Sequence, residues 1–151
     1  MLRGVSFEIP QKISNTLWQL LKCIDIENYC WFSIRSQEEV LDEKQKKNFF
    51  KNDYYEGKDF AQYIKSNCYL VFLKLQAYLT KSNCEEIHSY NEFLNSDCQI
   101  LILVNDCEFF EIYCKNANMS KMIRNHAILN KYKDVNYITD ENDFRRVMNV
   151  L

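Results

Sequence analysis

Seven cysteines and two histidines are the side chains whose chemistry could carry a reaction, a metal or a redox couple. The thiols stand at positions 23, 30, 68, 84, 98, 107 and 114, and the imidazoles at 88 and 126. A cysteine nucleophile needs a thiolate, an imidazole beside it and a pocket that stabilises an anion. Cys98 and Cys114 bracket the stretch CQILILVNDCEFFEIYC, and His126 follows on the next amphipathic segment. Cys98, Cys114 and His126 are therefore the set a small Cys/His enzyme would use. Against it stands the scarcity of glycine, since oxyanion pockets of backbone N–H groups tend to be glycine-rich turns. This chain has two glycines, Gly4 and Gly57, and both are isolated.

The spacing speaks against a metal. No C-x-x-C occurs, whereas structural zinc sites favour short paired spacings. The acidic TDEND at 139–143 fails the calcium-loop pattern and lacks its glycine. Acids there, followed by Arg145 and Arg146, read instead as the dipole-complementing start of a final helix. Neither G-x-G-x-x-G nor a Walker motif is present. No metal and no cofactor is expected.

Composition narrows the partners. Nineteen basic against twenty-one acidic residues give a net charge of −2, so no general attraction to nucleic acid or an anionic membrane is expected. The start MLRGVSFEIP carries no signal-peptide core, and the longest apolar run, ILILV at 100–104, is too short to span a bilayer. A cytoplasmic protein is expected, and in that compartment the thiols stay reduced. The bias toward Asn, Lys, Ile and Tyr suggests an AT-rich bacterial genome.

The elements that must position these residues read as follows. Val5–Ile9 alternates as a strand and stops at Pro10. Ser14 suits the cap of a helix with Leu17, Trp18, Leu20, Leu21 and Ile24 on one face. Tyr29–Ile34 reads as a strand, and Phe60, Ala61 and Ile64 mark a short helix. Cys68–Leu79 is apolar enough for a central strand covered on both faces. Ser89 and Glu92 form a capping box. Asn118 or Ser120 opens a helix burying Met119, Met122, Ile123 and Ala127. A strand at Val135–Ile138 precedes a last helix capped by Thr139 or Asp140, with Phe144, Val147 and Met148 inward. The pattern predicts an α+β single domain over 1–151: a mixed, mostly antiparallel sheet with helices packed on it and a tight hairpin at about 98–104/108–115.

Placing the hairpin turn at Asn105-Asp106 sets Val104 against Cys107, Ile102 against Phe109 and Cys98 against Tyr113. Cys98 and Cys107 then share a face at opposite ends, and Cys114 points to the other side. The three thiols read as small buried hydrophobes rather than a cluster.

One segment, 35–56, follows no period. It ends in Phe49, Phe50, Lys51, Asp53, Tyr54 and Tyr55, aromatic rings interleaved with charges that suit an interface anchor with a polar rim. Phe50 or Tyr54 is expected to stay partly exposed.

The stretches RGVSFEIP (3–10), IDIENYCW (24–31), EFLNSDCQ (92–99), IYCK (112–115) and VNYITDENDFRR (135–146) resemble a small uncharacterised family of Bacillus-like and Clostridium-like bacteria. The resemblance implies one complete domain and brings no activity, cofactor or catalytic residue with it. The sequence points first to a module that binds another protein without chemistry of its own. The Cys/His enzyme is the alternative, and an immunity-type protein that neutralises a toxin is a special case of the binder.

Overall fold

The apolar run at 68–79 becomes the spine of a sheet, as a segment hydrophobic on both faces must. The computed structural model describes residues 1–151 apart from Ser82. In chain order its elements are β1 (Leu2–Glu8), α1 (Thr16–Leu21), β2 (Cys30–Ser33), β3 (Glu39–Asp42), β4 (Tyr54–Tyr55), α2 (Gly57–Tyr63), β5 (Cys68–Tyr78), α3 (Tyr90–Asn95), β6 (Cys98–Asn105), β7 (Phe109–Cys114), α4 (Ala117–Leu129) and β8 (Lys133–Thr139). The strands make one open sheet in the order β4-β2-β5-β6-β7-β1-β8, with β3 beside the first half of β5. Each of these pairings is antiparallel. The fold is α+β, a single small domain with the hairpin and covering helices that the pattern predicts.

Alternation along β5 and β6 builds two cores. Leu73, Leu75, Ala77, Ile100, Ile102 and Val104 face α1, α2 and α4, meeting Leu17, Leu20, Phe60, Ile123 and Ala127. Tyr78, Leu101 and Leu103 face the other way, toward Tyr113, Ile138, Phe93 of α3, and Met148 and Val150 from the chain's last residues. The second face also buries polar groups, Lys74 and Gln76.

Both glycines sit where backbones nearly touch. A Cβ on Gly4, in β1 between β7 and β8, would lie 1.9 Å from the Ile112 carbonyl oxygen and 2.9 Å from the Tyr113 Cα. Nothing there can swing aside. Gly4→Ala is expected to cost about 3 kcal/mol or more, the upper end for overpacking, because strands must part. A urea-unfolding midpoint equal to wild type would show that β1 does not pass so close to β7.

Several local expectations are corrected. The hairpin turn takes three residues, Asp106 to Glu108, with Asp106 and Cys107 at positive φ, and Asn105 pairs with Phe109. Ile100 therefore faces Cys114, not Glu111. By that register Cys98 would share Cys114's face. An irregularity opposite Ala77 and Tyr78 turns it back, so Cys98 packs in the second core and Cys114 in the first. Cys107 lies in the turn, its N–H on the Val71 carbonyl at 3.0 Å.

Ser14 does not cap α1; its backbone bridges Cys68, and the helix begins after Asn15. Asn116 caps α4, so the helix starts earlier than expected and turns Met122 outward and Ser120 inward. The 35–56 segment holds β3 and β4. The expected last helix is absent: beyond β8 the chain lies across the second face without regular structure.

Candidate functional site

The Cys/His set is spread over the fold. The Cys98 thiol bonds the Ile100 carbonyl at 3.2 Å on one face, and Cys114 is buried on the other. Burial pushes both thiols up to about 12. His126, on α4, donates Nε2–H to the Gln19 carbonyl of α1 at 2.7 Å. No hydrogen bond joins it to either thiol. Among the described residues no group of three or more His, Cys, Asp or Glu could hold a metal ion. The geometry here is that of packing sulfur, protonated at neutral pH.

The aromatic segment divides. Phe49, Phe50 and Tyr55 are buried with Phe60 and Tyr63 in the first core, so Phe50, expected partly exposed, is a core residue. Two contacts set this: the Phe49 N–H bonds the Val40 carbonyl of β3 at 3.1 Å, and β4 pairs Trp31 with Tyr55 and Phe32 with Tyr54, which sends neighbouring rings to opposite faces. Tyr54, half-buried, faces the opposite way. Its ring lies 5.0 Å from that of Phe32, its hydroxyl donates to the Cys30 sulfur at 3.5 Å, and the Lys81 ammonium sits 4.2 Å over it. Asp53, exposed beside it, pairs with Arg35 at 2.7 Å, and Lys51 is exposed. Tyr54, Lys51 and Asp53 are what remains of that surface.

A concavity missing from the sequence reading adjoins it. A groove of about 720 Å³ runs between the 83–88 segment and α3, lined by Tyr78, Glu85, Glu86, His88, Glu92 and Asp97 among others. Its floor is held from below by buried polar side chains of β5. Lys74 donates to Glu86 at 3.1 Å and, more closely, to the Ile87 carbonyl. Gln76 donates to the Glu85 carbonyl and accepts the Ile87 N–H, at 2.8 and 2.9 Å. The Tyr78 hydroxyl also donates to the Glu85 carbonyl, at 2.8 Å. Burial lowers the Lys74 pKa, and the carboxylate of Glu86 opposes that shift.

The capping box shapes the other wall. The Glu92 N–H donates to Ser89 Oγ at 3.1 Å, while the Glu92 carboxylate reaches back to the His88 N–H at 2.8 Å. Glu85 and Asp97 project into solvent with no such task for their carboxylates, apart from a 3.4 Å contact of Asn83 to Asp97. Tyr78 ties groove to aromatic rim, packed edge-on with Phe32 at 5.7 Å between ring centres, and Phe32 in turn packs on Tyr54. Among the described lining residues four carboxylates, of which Glu86 is paired with Lys74 beneath it, stand against His88 as the one ionisable base, so the groove is acidic. The acids are visible in the sequence at 85, 86, 92 and 97, but their convergence needs residues 85–87 to lie over β5.

Among the described residues no helix is long and apolar enough to cross a membrane. Comparison with known proteins is consistent along the whole chain. Residues 2–149 match the family model described as a protein of unknown function (DUF2691). The chain is 35% identical over 153 residues to the uncharacterized protein YncE of Bacillus subtilis (strain 168), covering 99% of this chain and 100% of that protein. No solved structure matches it significantly. The small uncharacterised bacterial family that the quoted stretches resemble is thus identified: the chain belongs to the DUF2691 family of proteins of unknown function.

Proposed function

We propose that this protein works by binding another protein, and that the acidic groove with the Tyr54 rim is the surface it uses. The observation that carries the reading is the groove itself, a preformed concavity with polar groups converging on it, which is the ordinary character of a recognition site. Its floor is fixed by buried hydrogen bonds from Lys74 and Gln76, so little ordering cost falls on the free protein when a partner docks. Its charge favours a partner that presents Lys or Arg, and the half-buried ring of Tyr54 supplies an aromatic anchor of the kind that dominates binding energy. The spread-out thiols and imidazoles support binding over Cys/His catalysis, because a nucleophile and its base must lie within hydrogen-bond reach.

Glu85→Lys with Asp97→Lys reverses two exposed charges that neither cap a helix nor pair with Lys74. The double variant is expected to fold with wild-type stability, since such surface changes stay within about 0.5 kcal/mol. Affinity capture from an extract of the source cells, with intact chain and double variant as parallel baits, is the test. A protein retained by the intact chain and lost from the variant is then measured by calorimetry, where a tenfold or larger weakening, about 1.4 kcal/mol, is expected. Equal retention by both baits would place the surface elsewhere.

A further inference from the structure

Beyond β8 the chain departs from its own local pattern. In TDENDFRRVMNVL (139–151), Phe144, Val147, Met148 and Leu151 stand at i, i+3, i+4 and i+7, the spacing of one helical face. A helical turn begins, the Asp143 N–H donating to the Thr139 carbonyl at 3.1 Å, and then stops. Of the four apolar residues Met148 alone is buried, while Phe144 is 86%, Val147 56% and Leu151 61% exposed.

What interrupts the helix is tertiary and largely polar. Arg145 grips Glu111 of β7 through Nε, at 3.4 Å, and more closely through Nη2. It also donates to the carbonyls of Val147 and Asn149, at 3.1 and 2.8 Å. Asp143 accepts from Arg3 and from the Tyr113 hydroxyl, each at 3.1 Å. The Gln37 side chain takes the N–H groups of Val150 and Leu151 at 2.8 and 3.1 Å, donors a helix would use internally. The Met148 N–H reaches the His88 carbonyl at 3.0 Å.

We infer that residues 140–151 are a latched strap with two conformations: clamped across the sheet by Arg145, Asp143 and Gln37, and released as a segment whose apolar residues line one helical face. Local pattern and tertiary position disagree here over a whole predicted element. Two buried apolar side chains, Met148 and Val150, hold the strap from within, so it opens without the sheet. Because Met148 is bonded to His88, opening also loosens one wall of the groove.

Hydrogen exchange on the full chain tests the strap, read peptide by peptide by mass spectrometry. In the wild type, amides of 145–151 are expected to exchange at least about tenfold faster than those of β6 and β7, as local opening requires. High salt is expected to speed the strap further by screening its ion pairs, leaving the sheet unchanged. Arg145→Ala and the milder Glu111→Gln are expected to act as salt does. In either variant the Cα chemical shifts of 140–148 should move toward helical values. Exchange of the strap in step with β6 and β7, in wild type at both salt concentrations, overturns local opening. Released shifts that stay put or move toward extended values overturn the second conformation.

Discussion

Above pH 9 the protein is expected to lose stability steeply, about 4 kcal/mol for each pH unit. Burial pushes the thiols of Cys68, Cys98 and Cys114 from their ordinary 9.0 to about 12. In the unfolded chain the same groups ionise near 9.0. Between those limits the folded state holds protons that the unfolded state has released, so raising the pH favours unfolding. Below 9.0 the contribution of each thiol is fully present, and it disappears as pH climbs toward 12. Each group accounts for about 1.4 kcal/mol per unit, so three give about 4 kcal/mol. Tyr78 and Tyr113, raised chiefly by burial, add to the fall from about pH 10 upward.

A domain with about 5–15 kcal/mol of stability cannot withstand two or three units of such a slope. Urea-unfolding free energies from pH 8 to pH 11, compared with the Cys68→Ala, Cys98→Ala, Cys114→Ala triple variant, provide the measurement. The variant should start less stable and fall much more gently. A wild-type stability that is flat up to pH 11 would mean that the thiols ionise as readily in the folded protein as outside it.

Phe50→Ala should cost about 3–5 kcal/mol, the usual range for emptying a buried aromatic site. The ring is fully buried, stacked 6.1 Å from Phe60 and edge-on to Phe49 at 5.1 Å. Its removal leaves a void walled by other rings, which cannot collapse around an alanine. At roughly 2–4 °C per kcal/mol for a chain of this size, the melting temperature should drop by about 10 °C. Tyr54→Ala, next to Tyr55 in β4 but on the other side of the sheet, should cost about 1 kcal/mol or less. Thermal unfolding of the pair decides the matter. Equal losses would mean that Tyr54 also belongs to the core and cannot serve as the rim of a binding surface.

The contrast between those two rings shows where reading the chain succeeded and where it stopped. Elements that carry their own period were legible: β5 as a buried central strand, the capping box at Ser89 and Glu92, the α+β class, the family. Their signals are local, because side-chain direction repeats every two residues in a strand and about every 3.6 in a helix.

Other features depended on the tertiary structure. Tyr55 acquired an inside when β4 paired with β2, a contact between segments more than twenty residues apart, and Phe49 and Phe50 did so beside β3, where the Phe49 N–H bonds the Val40 carbonyl. The opposite facing of Cys98 and Cys114 was anticipated for a different reason: a three-residue turn changed the register, and an irregularity against β5 restored the outcome. The last twelve residues carry a sound helical pattern and form no helix. Propensity contributes tenths of a kcal/mol per residue, and a short isolated helix is marginal in water. Arg145 makes charge-assisted bonds to Glu111 of β7, Gln37 from the turn before β3 takes the terminal N–H groups, and together these distant contacts outweigh it. The groove is of the same kind: its acids lie in plain view along the chain, and only the placement of residues 85–87 over Lys74, Gln76 and Tyr78 makes them one surface.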